Sequence, residues 1–159
     1  DKGTEYGGTP AIMEDSAMEF GELYRSPGII GASRSLPPAQ RPDQWAGQPG
    51  TRVPHILVQR NGQTMSSIEL FRGTWVLLTL SPLWQSLLEQ ARSSVSTDAV
   101  FVNVIQPESA PLSFGTAFGV SSDGASLVRP DGYIAWRSCA MLDNASPLTE
   151  ALRRVLFAI

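Results

Sequence analysis

Ser81-Pro82 stands where an apolar run gives way to a helical pattern, a place where chemistry is often mounted in α/β domains. A thiol at such a helix N-terminus has a lowered pKa and can exchange disulfides, because the helix end stabilises the thiolate. Serine cannot do that work. Cys139 is the only cysteine, so these residues form neither an internal disulfide nor a cysteine-based metal cluster. It lies beyond a predicted hairpin and reads as a structural thiol, since free cysteines are usually buried. His55 is the only histidine, which excludes a histidine-cluster metal site. We expect it to be a hydrogen-bonded structural residue rather than a base. No Gly-x-Ser-x-Gly elbow surrounds any serine. Gly7-Gly8 and the glycines at 28 and 31 lack the preceding strand and the spacing of a dinucleotide fingerprint.

The remaining polar candidates sit around Leu127-Val128-Arg129-Pro130-Asp131-Gly132-Tyr133-Ile134-Ala135-Trp136-Arg137. Proline presets φ, aspartate bonds the local backbone and glycine accepts a positive φ, so Pro130-Asp131-Gly132 predicts the turn of a β-hairpin. Simple alternation puts Tyr133, Ala135 and Arg137 on one face and Ile134 and Trp136 on the other. Arg129, Asp131 and Arg137 could gather into an ionic cluster; exposed pairs contribute only about 0–1 kcal/mol, so they read as scaffold. Trp75, Trp84 and Trp136 read as core or interface.

The elements around these residues follow from periodicity. A short strand is expected at 56–58, a turn at Arg60-Asn61-Gly62-Gln63, and a helical turn over 66–71 carrying Ile68 and Phe71. The run 75–80 predicts a buried strand. Ser81 then reads as an N-cap with Pro82 in the first helical position, and Trp84, Leu87, Leu88, Ala91 and Val95 form one stripe. A second buried strand follows at 99–105, and 107–120 reads as loop with a short helix near Phe114. After the hairpin, Ser146-Pro147 repeats the cap signal before a helix turning Leu148, Leu152, Val155, Leu156 and Ile159 inward. The order β-α-β then β-β-α predicts an α/β fold, a thioredoxin-like mixed sheet flanked by helices. Residues 1–50, dense in Gly and Pro, read as an irregular arm with a short helix at 13–20, and 51–159 as the domain.

The chain has 159 residues, enough for one domain with a sizeable core. A net charge of −3 without a basic stripe argues against a nucleic-acid partner, and no apolar run is long enough to span a membrane. No signal peptide is visible, and an unpaired cysteine suits a reducing, cytoplasmic setting. Asp1 in place of a start methionine suggests a processed chain or a fragment.

Gly50-x-Arg52-x-Pro54-His55, Leu70-Phe71, Val76-Leu77-Leu78 and Val128-Arg129-Pro130-Asp131-Gly132-x-x-Ala135-Trp136-Arg137 occur in that order. Together they resemble the C-terminal thioredoxin-like domain of flavin-dependent aromatic-ring hydroxylases, a group that includes phenol, pentachlorophenol and polyketide hydroxylases. Tyr24-Arg25-Ser26-Pro27 resembles the segment leading into that domain, and the likeness covers roughly residues 20–159. It implies a parent enzyme that reduces FAD with NAD(P)H and hydroxylates an aromatic ring. The flavin and substrate motifs of that family lie upstream and do not occur in these residues, so the likeness assigns no catalytic, cofactor or metal residue here. It implies a structural or oligomerising role, with the upstream domains, and also a second copy, as partners. Arg52, His55, Arg129, Pro130, Asp131, Gly132, Trp136 and Arg137 are then motif residues of a scaffold. A free-standing redox protein and a protein-binding module are the other readings.

Overall fold

A computed structural model describes residues 23–32, 35–36, 38–39, 45–71, 73–95, 102–105 and 111–157. The predicted turn joins Leu57–Arg60 (β1) to Gln63–Ser66 (β2) as an antiparallel pair, Arg60 opposite Gln63. Asn61 and Gly62 take φ of 52° and 74°, the two positive values a two-residue turn between right-twisted strands requires. A 3₁₀ turn at Ser67–Leu70 follows, its start capped by Ser66 Oγ, which accepts the Ile68 N–H at 3.2 Å. Phe71 points into the core, but Ile68 stays exposed.

Next come Trp75–Thr79 (β3), Leu83–Ser94 (α1), Val102–Ile105 (β4), Pro111–Phe118 (α2), Ala125–Val128 (β5), Ile134–Ser138 (β6) and Ser146–Phe157 (α3). The sheet order is β4-β3-β5-β6, with β3 and β4 parallel and β5 antiparallel to both β3 and β6. This is the mixed α/β arrangement expected. The start of the second strand, the 13–20 helix and Ile159 lie outside the described residues.

Each face of the sheet carries its own core. Leu77, Ala125 and Leu127 face α1 and α3, meeting Trp84, Leu88, Ala91, Leu148 and Leu152. Val76, Leu78 and Val128 face the other way, onto Phe114 and Phe118 of α2, Val58 of the first hairpin and Phe71 after the 3₁₀ turn. The region read as loop with a short helix thus holds a two-turn helix. Phe114 and Phe118, four residues apart, turn the same way and stack with ring centroids 4.7 Å apart.

Both serine caps need correction. Helix α1 starts at Leu83 with Pro82 as its cap residue and no side-chain capping bond. Ser81 is spent on the preceding corner: its N–H donates to Thr79 Oγ1 at 3.1 Å, and the Thr79 hydroxyl donates to Gly124 O at 2.8 Å. Helix α3 already includes Ser146 as its first residue, and Asn144 Oδ1 accepts the Ser146 N–H at 2.9 Å.

Strict alternation also fails in β6. Leu127 pairs with Trp136 and Val128 with Ile134, so Ala135 is an extra residue and the register shifts there. Ile134 therefore faces the α2 core, whereas Ala135 and Trp136 belong to the α1–α3 core. Trp136 meets Trp84 edge-on at 6.3 Å, and Trp84 Nε1 donates to Asp123 O at 2.7 Å.

The described part of the first fifty residues lies along β6. Gly50 N–H donates to Ile134 O, Ile134 N–H to Thr51 O, Val53 N–H to Gly132 O and Ile30 N–H to Ala135 O, at 2.7–2.9 Å. Ile29 and Trp45 are buried there. Gly47 (φ 68°) packs so close that a Cβ would sit 2.3 Å from Phe118 O, whereas a Cβ at Gly62 would meet nothing within 4 Å. Gly62→Ala should cost about 1–2 kcal/mol from the left-handed backbone alone. Gly47→Ala should cost distinctly more in urea unfolding, and equal losses would contradict this packing.

Candidate functional site

Four side chains from distant parts of the sequence form a ladder beside the hairpin turn. The turn closes through Gly132 N–H to Arg129 O at 2.9 Å, with Gly132 at φ 84°. Asp131 Oδ2 accepts from Arg129 Nη2 at 2.8 Å, and its Oδ1 accepts the Tyr133 N–H at 3.3 Å. The Arg129 guanidinium lies 5.3 Å from the Tyr24 ring centroid. Tyr24 and Tyr133 meet at 5.7 Å, tilted by 54°, and Arg52 lies 5.0 Å from the Tyr133 ring. The order is cation, ring, ring, cation, so each arginine meets a π face instead of its fellow.

Two clefts flank the turn. The larger, about 490 Å³, lies between Tyr24, Pro27, Trp75, Val155 and the Arg129–Asp131 corner. The smaller, about 280 Å³, has Val53 and Phe71 as floor, Ile68 and Arg52 at its sides and Pro130–Gly132 as a wall. Leu23, next to Tyr24, is buried, and Tyr24 N–H donates to Gly50 O at 2.7 Å, which fixes the ring's place in the larger cleft.

Arg137 belongs to neither cleft, and the ionic cluster of Arg129, Asp131 and Arg137 is not formed. Arg137 Nη1 donates to Ala46 O at 2.7 Å and to Phe118 O at 3.2 Å. Phe118 ends α2, so the guanidinium places positive charge against the negative end of that helix and binds it to the Ala46-Gly47 turn. The bulge brings this about, because it puts Arg137 on the α2 side. His55 is exposed and its imidazole has no hydrogen-bond partner among the described residues, contrary to the bonded role expected. Cys139 is also exposed rather than buried. Trp136 is partly buried against the α1–α3 core.

Among the described residues no group of three His, Cys, Asp or Glu could hold a metal ion, and no helix is long and apolar enough to cross a membrane. At the head of α1, Pro82 has no N–H and that of Ser81 is taken by Thr79. The arrangement can pack, cover and present a surface. The contact between Tyr24 and Tyr133 escaped sequence reasoning because nothing local links residues so far apart.

The profile of a family described as aromatic-ring hydroxylase, C-terminal, matches residues 46–158. Aklavinone 12-hydroxylase RdmE of Streptomyces purpurascens is 36% identical over 144 residues, covering 86% of this chain and 26% of that protein. 4-Methyl-5-nitrocatechol 5-monooxygenase of a Burkholderia species is 33% identical over 159 residues, covering 93% of this chain and 29% of that protein. Among solved structures, a ternary complex of aklavinone-11 hydroxylase with FAD and aklavinone aligns with a TM-score of 0.76 at 32% identity, over 86% of this chain and 26% of that one. The chain thus spans between a quarter and a third of the length of these relatives.

The two arginines should differ sharply when removed. Arg137→Met strips two carbonyls of their charged donor and should lower unfolding stability by about 1–3 kcal/mol. Arg129→Ala breaks an exposed pair and should cost about 0–1 kcal/mol. Urea titration of both variants measures the order, and a costlier Arg129 would contradict the placement of Arg137.

Proposed function

Because the chain belongs to the aromatic-ring hydroxylase C-terminal family, we propose that it is the accessory closing domain of a flavin-dependent monooxygenase. The preceding domains of that polypeptide would bind FAD and hydroxylate an aromatic substrate with NAD(P)H and O2. The observation that carries this reading is the partial coverage: relatives named as hydroxylases and monooxygenases match this chain over only about a quarter of their length. At the α1 corner Pro82 has no N–H and that of Ser81 is bonded to Thr79 Oγ1, which speaks against a pyrophosphate cradle at that place.

The domain's own role is packing, against the preceding domains and against a second copy in a homo-oligomer. On this reading the sheet is a thioredoxin-like scaffold without its thiol, with residues 1–50 as an arm toward the preceding domains and 51–159 as the domain, working in the cytoplasm. Ser81 supports it, because a free-standing redox protein of this kind needs a cysteine at the head of α1. Arg52, Arg129, Pro130, Asp131, Gly132, Trp136 and Arg137 act as scaffold, and His55 joins them as a motif residue on the surface.

The purified 159-residue chain should be colourless after reconstitution with FAD and should show no hydroxylase activity. The longer polypeptide should retain flavin absorbance through gel filtration. Flavin held by the short chain alone would sink the reading. Cys139→Ser should leave disulfide-exchange activity at the background of the parent chain, and a measurable loss would revive the redox alternative.

A further inference from the structure

Arg52 is exposed, and among the described residues it makes no ion pair and no side-chain hydrogen bond. Its one recorded partner is the Tyr133 ring, 5.0 Å below. A guanidinium held over a ring by a cation–π contact keeps its N–H donors available for a bidentate carboxylate. The backbone adds to this order, since Arg52 bridges to Tyr133 between two hydrogen bonds, Ile134 N–H to Thr51 O and Val53 N–H to Gly132 O.

The nearest charges do not cancel it. Asp131 also borders the smaller cleft, but Arg129 neutralises its carboxylate at 2.8 Å and its second oxygen accepts the Tyr133 N–H. The Arg129–Asp131 pair sums to zero, which leaves Arg52 as the unbalanced charge among the described residues lining that cleft. Beside it lie an apolar floor, Val53 and Phe71, and an isoleucine, Ile68, that is 55% exposed on a turn whose Ser67 and Leu70 are buried. An exposed apolar side chain next to an uncommitted, pre-oriented cation is a paired feature, and each half is satisfied by the same kind of guest.

We propose that the cleft between Arg52 and Ile68 is a docking site for a polypeptide segment carrying an aspartate or glutamate next to an apolar residue, supplied by the preceding domains of the same polypeptide. Arg52 takes the carboxylate through its fork, and the neighbouring apolar side chain fills the 280 Å³ space over Val53 and Phe71 beside Ile68. Charge complementarity selects the occupant: a basic or neutral segment leaves the guanidinium unmatched. The source of the segment rests on the accessory-domain reading; the chemistry of the cleft does not.

The test uses the 159-residue chain and two blocked dipeptides, N-acetyl-leucyl-glutamic acid amide and its glutamine counterpart, followed by NMR at the Arg52 Nε–H and Ile68 methyl signals. The glutamyl peptide should shift both signals to saturation, and the glutaminyl peptide should bind about ten-fold more weakly, the loss expected when a charged hydrogen bond is removed. Arg52→Gln should erase that difference, and Arg52→Lys should restore only part of it, because the fork geometry is missing. Ile68→Ser, a surface change that leaves the fold intact, should weaken the leucyl peptide while sparing binding of acetate to Arg52. Equal binding of the two peptides, or unchanged binding in Arg52→Gln, overturns the proposal. Saturable binding of phenylacetate without any of the glutamyl peptide also overturns it, in favour of a small-acid site. Peptide binding to a chain whose longer polypeptide carries no flavin would reject the source and the accessory-domain reading, not the site.

Discussion

The hydrogen bonds that lay residues 50–53 along the start of β6 hold the rest of the architecture in place. β6 is the edge of the four-stranded sheet, and an edge strand presents unpaired N–H and C=O groups that invite foreign pairing. Here both backbone groups of Ile134 are met, by Thr51 O and Gly50 N, and Ala135 O is met by Ile30 N. Once that cover is set, Arg52 must lie over Tyr133, Tyr24 must lie between Tyr133 and Arg129, and both clefts acquire their walls. The surface beside the turn is therefore a by-product of how the sheet edge is closed.

The motif residues around the turn spend their side chains within the fold. Arg129 and Asp131 satisfy one another and stiffen the turn. Arg137 joins three separate pieces of chain, β6, the end of α2 and the Ala46-Gly47 turn, through two carbonyls. Burying the polar end of a helix against a charged donor avoids leaving its last carbonyls unmatched. At the head of α1, where related topology could mount chemistry, the sequence supplies a proline without an N–H and a serine already bonded to Thr79.

Local pattern carried much of the fold. The apolar run of β3, the stripe of α1 and the Pro130-Asp131-Gly132 turn are each written in consecutive residues, and each forms as its period dictates. What could not be read depended on contacts distant in sequence. The short helix expected near Phe114 forms as α2, but its extent was obscured because Gly115 and Thr116 dilute its propensity, and the stacked Phe114 and Phe118 fix it only against the sheet. The caps misled because α1 opens one residue after Pro82 without a side-chain cap and α3 already includes Ser146, so neither serine stands in the cap position. The bulge at Ala135 leaves no compositional trace, yet it decides that Trp136 joins one core and Arg137 supports the other. For the candidate site, Arg52 and the turn residues were visible as motif members, but their tyrosine partners were not.

The covering of β6 also has an order in time. During synthesis residues 23–53 emerge well before the strand they cover. The β5–β6 hairpin closes a short loop at small entropic cost, whereas joining Gly50 to Ile134 must wait for most of the chain. Until then Leu23, Ile29 and Trp45 lack the surfaces that bury them in the finished fold. The nascent chain thus carries its own edge protector in an unprotected state, and the interval before the hairpin appears is when it is most exposed to aggregation and chaperone capture.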